Sequence, residues 1–453
     1  MDTTFMSNYM DILNESLGDG YSYYITDNLP IFNIDGLIET YQYDIENILT
    51  ESEGVKGKNL TDRIRQIGKK ILSFLSGILE KIMGFFKKLR NFIRGKIEQL
   101  KNNKKGNKNG DEKIIDGKEY SSGNRNKKNK TDNDDEVDEE KLNIVKSKED
   151  IEEERRQEEE KRRQEEEKIK EEKKRKKREE IDKEIEKYNS VEVYRDMDYN
   201  GGIAAANKLL DVFQDGFRDY VMEVEKFNNI DSILRSMGIE LNDRGLKRTT
   251  NVKDRDRMNK VIENFRALTR KTDTQIYTNG KFSTSDEIKE ERDRIKQIFH
   301  GSGEKIKISD FKGVVVENHY EQLNSIEGRI AKIEASTKNV CEKTIANSKA
   351  FMNQLEGVAK RIEETGEENF SLSNLISIIA NAYVQVIHKL SSALRSQTSD
   401  LHSISVTATN AASDMSDIAT VLHDINVAKH MRELYESYND YDGMNWLRDI
   451  LFE

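Results

Sequence analysis

Residues 323–362, LNSIEGRIAKIEASTKNVCEKTIANSKAFMNQLEGVAKRI, place apolar side chains at Leu323, Ile326, Ile330, Ile333, Val340, Ile345, Met352, Leu355, Val358 and Ile362. An α-helix turns about 100° per residue, so spacings of three, four and seven return to the same side. The polar positions between them fill the other side, and the stretch predicts an amphipathic helix of about forty residues. Gly366 interrupts it, and Ser371 or Ser373 offers a side-chain cap for a second helix. There Leu375, Ile379, Ala382, Val386, Leu390, Ala393, Leu401, Ile404, Ala408, Ala411, Met415, Ile418 and Leu422 continue the stripe. Two long helices joined by a short polar turn predict a helical hairpin or bundle over 316–453, and with it an all-α fold.

Composition agrees. Pro30 is the single proline in 453 residues, and proline is the residue that interrupts helices by removing a donor and clashing with the preceding turn. Charged residues make up 35% and apolar residues 35%, too few apolar side chains for one core throughout, so the chain is segmented. The net charge of −10 is distributed in blocks. Residues 1–59 hold eleven acidic and two basic side chains, whereas 60–96 hold two acidic and ten basic. The first block reads as an acidic N-terminal cap, with short strands or turns around Tyr21, Tyr23, Tyr24, Ile25, Ile31 and Phe32 and a helix near Leu37–Leu49.

Residues 60–100 form the next segment, with Asn59 or Thr61 as cap. Ile64, Ile67, Ile71, Phe74, Ile78, Ile82, Phe85, Leu89, Phe92 and Ile97 make one apolar stripe, widened by Leu72, Leu75, Leu79, Met83, Phe86 and Ile93. Lys69, Lys70, Lys87, Lys88, Arg90 and Arg94 lie among the cations of the other side. Gly68, Gly77, Gly84 and Gly95 loosen the helix, with a break expected near Gly77 or Gly84.

Residues 101–148 are too polar to offset chain entropy and read as a disordered linker. Residues 149–190 then repeat the heptad RRQEEEK at Arg155–Lys161 and Arg162–Lys168. Glu and Lys/Arg three or four apart support a helix, but apolar a and d positions are missing, so a single solvated helix acting as a spacer is expected. Residues 191–315 regain periodicity: Ile203–Phe227 suggests one helix and Met258–Leu268 another. Residues 272–315 are expected to be an irregular insert with a strand-like piece at Val314–Val316.

Motifs that carry chemistry are sparse. Asp196-Met197-Asp198-Tyr199-Asn200-Gly201 resembles half a calcium loop, but position twelve is Asn207 where a bidentate Glu is needed, so a helix-capping turn is the better reading. His300, His319, His388, His402, His423 and His430 form no close ligand pair, and Gly301-Ser302-Gly303 lacks the spacing and the Lys of a phosphate loop. Cys341 is the single cysteine, which excludes an intramolecular disulfide and fits a small residue in a helix seam. No catalytic site, metal, cofactor or small-molecule substrate is expected. Specific nucleic-acid binding is disfavoured because the basic residues of 101–130 are interleaved with acids and lack an aromatic platform. No signal peptide and no transmembrane run is visible, which fits a virion, host-cytoplasmic or peripheral membrane location.

Two roles fit the helix of residues 60–97. Ile71, Phe74, Ile78, Ile82, Phe85, Phe86, Leu89 and Phe92, flanked by Lys69, Lys70, Lys87, Lys88, Arg90 and Arg94, have the form of an interfacial membrane or partner-binding helix that favours anionic lipid. Alternatively the stripe packs into a helical domain and the acidic residues 1–59 cover its basic side.

The opening MSNYMDILNESLGDG, the segment ILSFLSGILEKIMGFFKKLRNFIRGKIEQL and the Lys/Glu tract together resemble virion structural proteins, including internal head proteins, of large tailed bacteriophages of low-GC bacteria. The resemblance covers about the first 190 residues and carries no site residues. It implies a non-enzymatic particle component that self-associates or binds other virion proteins, and that travels with the genome and is released at infection.

Overall fold

The computed structural model describes residues 35–50, 60–112, 148–236, 239–242, 245–248, 254–364 and 370–437. Helices dominate it: α1 (Asp35–Thr50), α2 (Leu60–Glu112) and α3 (Lys148–Asn189) lead to a middle region of shorter elements. There strand β1 (Glu192–Tyr194), helices α4 (Tyr199–Gln214), α5 (Arg218–Glu225) and α6 (Ile230–Ser236), and the hairpin β2 (Ile239–Asn242) and β3 (Gly245–Arg248) follow in turn. Helices α7 (Asp254–Arg270), α8 (Asp273–Tyr277) and α9 (Ser285–His300) precede β4 (Lys305–Lys307), which pairs with β1, and a 3-10 turn at Ile308–Asp310. The two longest remaining helices are α10 (His319–Glu364) and α11 (Phe370–Ser437). The all-α reading holds, and the hairpin of two long helices is present.

Contacts cluster into two units. The first holds Met1–Lys101, Tyr194–Glu304 and Lys312–Asp417, and within it the direction of each helix can be read from its partners. Thr337 bonds Gln397 at 3.3 Å and Ser348 meets the Tyr383 hydroxyl at 2.9 Å, so partner numbers rise along α10 as they fall along α11, and the two run antiparallel. Helix α2 is also antiparallel to α10, since Arg65 pairs with Glu356 and Arg90 with Glu327. Helices α4 to α6 run along α10: Asn207 meets Ser325 at 2.8 Å, Asn347 donates to Glu225 at 3.3 Å, and the Ile230 amide donates to Gln354 at 3.0 Å.

Helix α11 is enclosed on nearly every side. From Leu375 to Ser416 only Gln385 and Ser399 are exposed. A helix covered all round is usually apolar, yet this one is rich in Ser and Thr. Many of the hydroxyls are satisfied inside the helix: Ser405 donates to the Leu401 carbonyl and Thr409 to that of Ser405, each at 2.7 Å. Small side chains then let neighbouring helices approach without a polar cost.

The second unit holds Asn102–Val193, Lys305–Phe311 and Ile418–Glu453. Here α3 is exposed over residues 152–173, and only its last turns pack: Ile181 is buried, and Arg432 of α11 pairs with Asp182 at 3.0 Å. The expected single charged helix is present.

Several sequence-level boundaries are corrected. Helix α2 runs unbroken through Gly77 and Gly84 and reaches Glu112, so residues 101–112 belong to it and not to a linker. The stretch 203–227 is two helices, because Phe217 adopts a left-handed conformation (φ 67°) between them. The expected irregular insert contains the 16-residue helix α9, whose first turn is capped by Thr284, and Val314–Val316 is not a strand. Ser371 and Ser373 lie inside the first turn of α11, which begins at Phe370. The strands or turns expected at 21–32, the linker residues 113–147 and Gly366 lie outside the described residues.

Candidate functional site

The basic amphipathic helix α2 is the segment to which sequence assigns a binding role, and its side chains sort clearly. Ile71, Phe74, Ile78, Ile82, Phe85, Phe86 and Leu89 are buried, Ile71, Ile82, Phe86 and Leu89 to 0% exposure, and Phe92 is half-buried. Ile64, Ile67, Leu75, Ile93, Ile97 and Leu100 extend the buried face. Burying a large apolar side chain contributes about 1.5–3 kcal/mol, so this stripe is among the main sources of stability in the first unit. Gly68 approaches α10 so closely that an added Cβ would stand 3.2 Å from that of Met352.

Helix α1 covers part of α2. The Tyr41 ring stacks on Phe74 with centroids 4.2 Å apart, Asp44 pairs with Lys70 at 2.6 Å, and Gln42 meets the His388 ring at 2.8 Å. Of the acidic N-terminal block, then, Asp44 does meet the basic side of α2.

The cations divide into two groups. Arg90 bridges Glu327 and Glu334 of α10, both at 2.7 Å, and Arg94 shares Glu327 at 2.7 Å. Hydrogen bonds to Glu327 and Glu334 hold the Arg90 guanidinium above its ordinary range. Nearer the N-terminus, Arg65 pairs with Glu356, while the Thr61 amide and hydroxyl both donate to Glu363, at 3.0 and 2.7 Å. Thr61 is therefore a residue of the first turn whose amide is satisfied by a neighbouring helix, and it is not itself the cap. Lys69, Lys87 and Lys88 are exposed.

The Arg90 cluster is partly buried, and its loss has a measurable size. Arg90→Gln should lower stability by about 1–2 kcal/mol, and a double-mutant cycle with Glu327→Gln should show coupling of about 1 kcal/mol. Additive effects in chemical denaturation would mean that the bridge is solvated and does no structural work.

A second polar cluster joins α8 and α9 to α11. The Tyr277 hydroxyl donates to Asp400, and the Arg292 guanidinium lies 3.2 Å from the same carboxylate. Burial raises the Asp400 carboxyl, against the lowering influence of Arg292 and Tyr277. One helix turn away Gln397 reaches Thr337, and near the start of α8 Asp273 receives Lys389 at 3.0 Å and Ser392 at 2.6 Å. Sequence reading passed over these residues. The signal was present, because the apolar stripe steps from Leu390 and Ala393 to Leu401, and Gln397 occupies the position between them. A polar residue in a core register needs a buried partner.

His388 and His402 give the fold a predictable pH response. Burial lowers both rings below the ordinary histidine value, with the Lys389 charge adding to the effect at His388 and Asp273 opposing it. Both are thus neutral in the fold and protonate more readily in the unfolded chain. Their contribution is present above about pH 6.5 and is lost as pH falls through the depressed folded values. Thermal melts from neutral to mildly acidic pH should show decreasing stability, and His388→Gln with His402→Gln should flatten that slope. An unchanged slope would refute the assignment.

The calcium-like turn has a structural role: Asp198 accepts from the Gly201 amide at 2.9 Å and caps α4. Among the described residues no group of three or more His, Cys, Asp or Glu is arranged to hold a metal ion, and no helix is long and apolar enough to cross a membrane. Cys341 is buried in α10. Fold and contacts define a helical-bundle protein with a solvated charged helix. Compared with known proteins, the chain matches no family model, no curated protein and no solved structure.

Proposed function

We propose that this is a non-enzymatic structural protein, a component of a tailed-bacteriophage particle as its N-terminal sequence style suggests. The observation that carries the architectural part is how the chemistry-bearing side chains are used. Arg90 with Glu327 and Glu334, Arg292 and Tyr277 with Asp400, and Lys389 with Asp273 each hold one helix to another. The 42-residue α3 adds a semi-rigid spacer, about 60 Å long at about 1.5 Å per residue. Such parts suit a framework that self-associates or contacts other virion proteins. The alternative, peripheral membrane binding through residues 60–97, requires the stripe that packs in the bundle to leave it.

The two readings separate by location. Antibody to the hairpin, applied to gradient-purified particles and to the particle-free cell fraction, should find the protein at many copies in particles. Recovery only outside particles, floating with anionic vesicles through residues 60–97, would overturn the structural reading in favour of the membrane one.

A further inference from the structure

The charges of α3 are not evenly mixed. Residues 168–178, KIKEEKKRKKR, carry eight Lys or Arg against two Glu, whereas 149–167 carry eleven Asp or Glu against five Lys or Arg. Lys168, Lys170, Lys173, Arg175, Lys176 and Arg178 are exposed. From these observations we propose that the basic segment of α3 is a docking surface for the phosphate backbone of duplex nucleic acid, without sequence specificity. The inference does not depend on the particle reading.

Three physical points carry it. First, most of the acidic half of the helix lies too far away to cancel the basic half. The centres of the two blocks are about 15 residues, or roughly 22 Å, apart along the helix, against a Debye length of about 8 Å at physiological salt. Second, the local carboxylates do not hold their cations firmly. Lys176 meets Glu172 at 3.1 Å and Arg175 meets Glu179 at 3.5 Å, but the Arg175 and Lys176 side chains are 72% and 65% exposed. Ion pairs so exposed add little to the helix and yield to a polyanion. Third, the segment has nothing to insert into a bilayer: it holds no aromatic residue, and Ile169 is its one apolar side chain. A lipid surface is thus a poorer fit than a phosphate backbone. Because cations encircle the helix, about four of them can face one duplex, which sets a salt slope of roughly −3.6.

The test uses the full chain and a short fluorescent DNA duplex followed by anisotropy. Binding should weaken about 100-fold between about 50 and 200 mM salt. A variant carrying Lys173→Gln, Arg175→Gln, Lys176→Gln and Arg178→Gln should lose at least about tenfold in affinity. A matched control, Arg155→Gln, Arg156→Gln, Lys161→Gln and Arg162→Gln, changes the net charge equally on the same helix and should bind as the parent does. Glutamine keeps helix propensity, and circular dichroism checks that both variants retain α3. Absence of duplex binding by the parent, or equal losses in the two variants, overturns the proposal. Flotation with phosphatidylserine vesicles that the first variant abolishes would also overturn it, assigning the segment to membranes.

Discussion

Gly216→Ala should destabilise the first unit by about 3 kcal/mol or more, at or beyond the upper end of ordinary overpacking. A Cβ at this position would stand 1.8 Å from the Tyr277 carbonyl oxygen and 3.0 Å from that of Phe213, so backbone atoms block it and no side chain can swing aside. The surroundings leave little room to adjust. The Phe217 amide donates to the Ile276 carbonyl at 3.1 Å, and the Asn279 side chain donates to the Asp215 carbonyl. Phe217 and Asn279 both have positive φ, a conformation that costs a non-glycine residue roughly 1–2 kcal/mol and persists only where packing enforces it. Admitting the methyl group means moving α8, and with it Tyr277 and its bond to Asp400. Thermal unfolding should shift down by roughly 2–4 °C per kcal/mol. Gly280 provides the contrast: its φ is 75° but nothing lies within 4 Å of its missing Cβ, so Gly280→Ala should cost only about 1 kcal/mol. Equal melting of the two variants would mean that the corner is looser than its geometry indicates.

The contrast between that corner and the long helices explains what the sequence reveals. Helices α2, α10 and α11 repeat one local instruction over many turns, and periodicity at Ile71, Phe74, Ile78 and Ile82 or at Leu323, Ile326, Ile330 and Ile333 is enough to predict each. The charged helix α3 is legible for the same reason, since its i,i+4 Glu and Lys/Arg pairs are local. The break at Phe217 is not local. Its cause is a carbonyl about sixty residues away in α8, and no residue nearby other than Gly216 hints at it. The identity of the partner covering a stripe is equally non-local. The side chains of α2 fit a lipid interface or a protein seam, and their chemistry is the same in either case. What separates the alternatives is the set of acceptors on another helix: Glu327, Glu334, Glu356 and Glu363 lie where Arg90, Arg65 and Thr61 meet them, and that alignment exists only after folding.

Replacing Phe74 and Phe85 together by serine tests that alignment most severely. Both rings are 4% exposed, and truncating a buried phenylalanine costs about 3–5 kcal/mol, so the pair removes about 6–10 kcal/mol. Typical total stability is about 5–15 kcal/mol, and serine, even with its hydroxyl bonded to the carbonyl one turn back, leaves most of each ring's volume empty. Tyr41 also loses its stacking partner, which frees α1. The expected result is cooperative loss of the bundle, including α10 and α11, because α2 supplies one wall of their seam. Two signals should report it: a large fall in helical circular dichroism, and exposure of Cys341. In the fold that thiol is buried and pushed up to about 12, so Ellman's reagent should leave it untouched in the parent and modify it rapidly in the double variant. If instead helix content and Cys341 protection survive while vesicle flotation disappears, the bundle does not depend on the stripe and residues 60–97 serve a lipid surface. The burial of Ile71, Phe74, Ile78, Ile82, Phe85, Phe86 and Leu89 argues for the first outcome, since a helix that gives the centre of its apolar stripe to a core cannot be removed at the cost of a surface element.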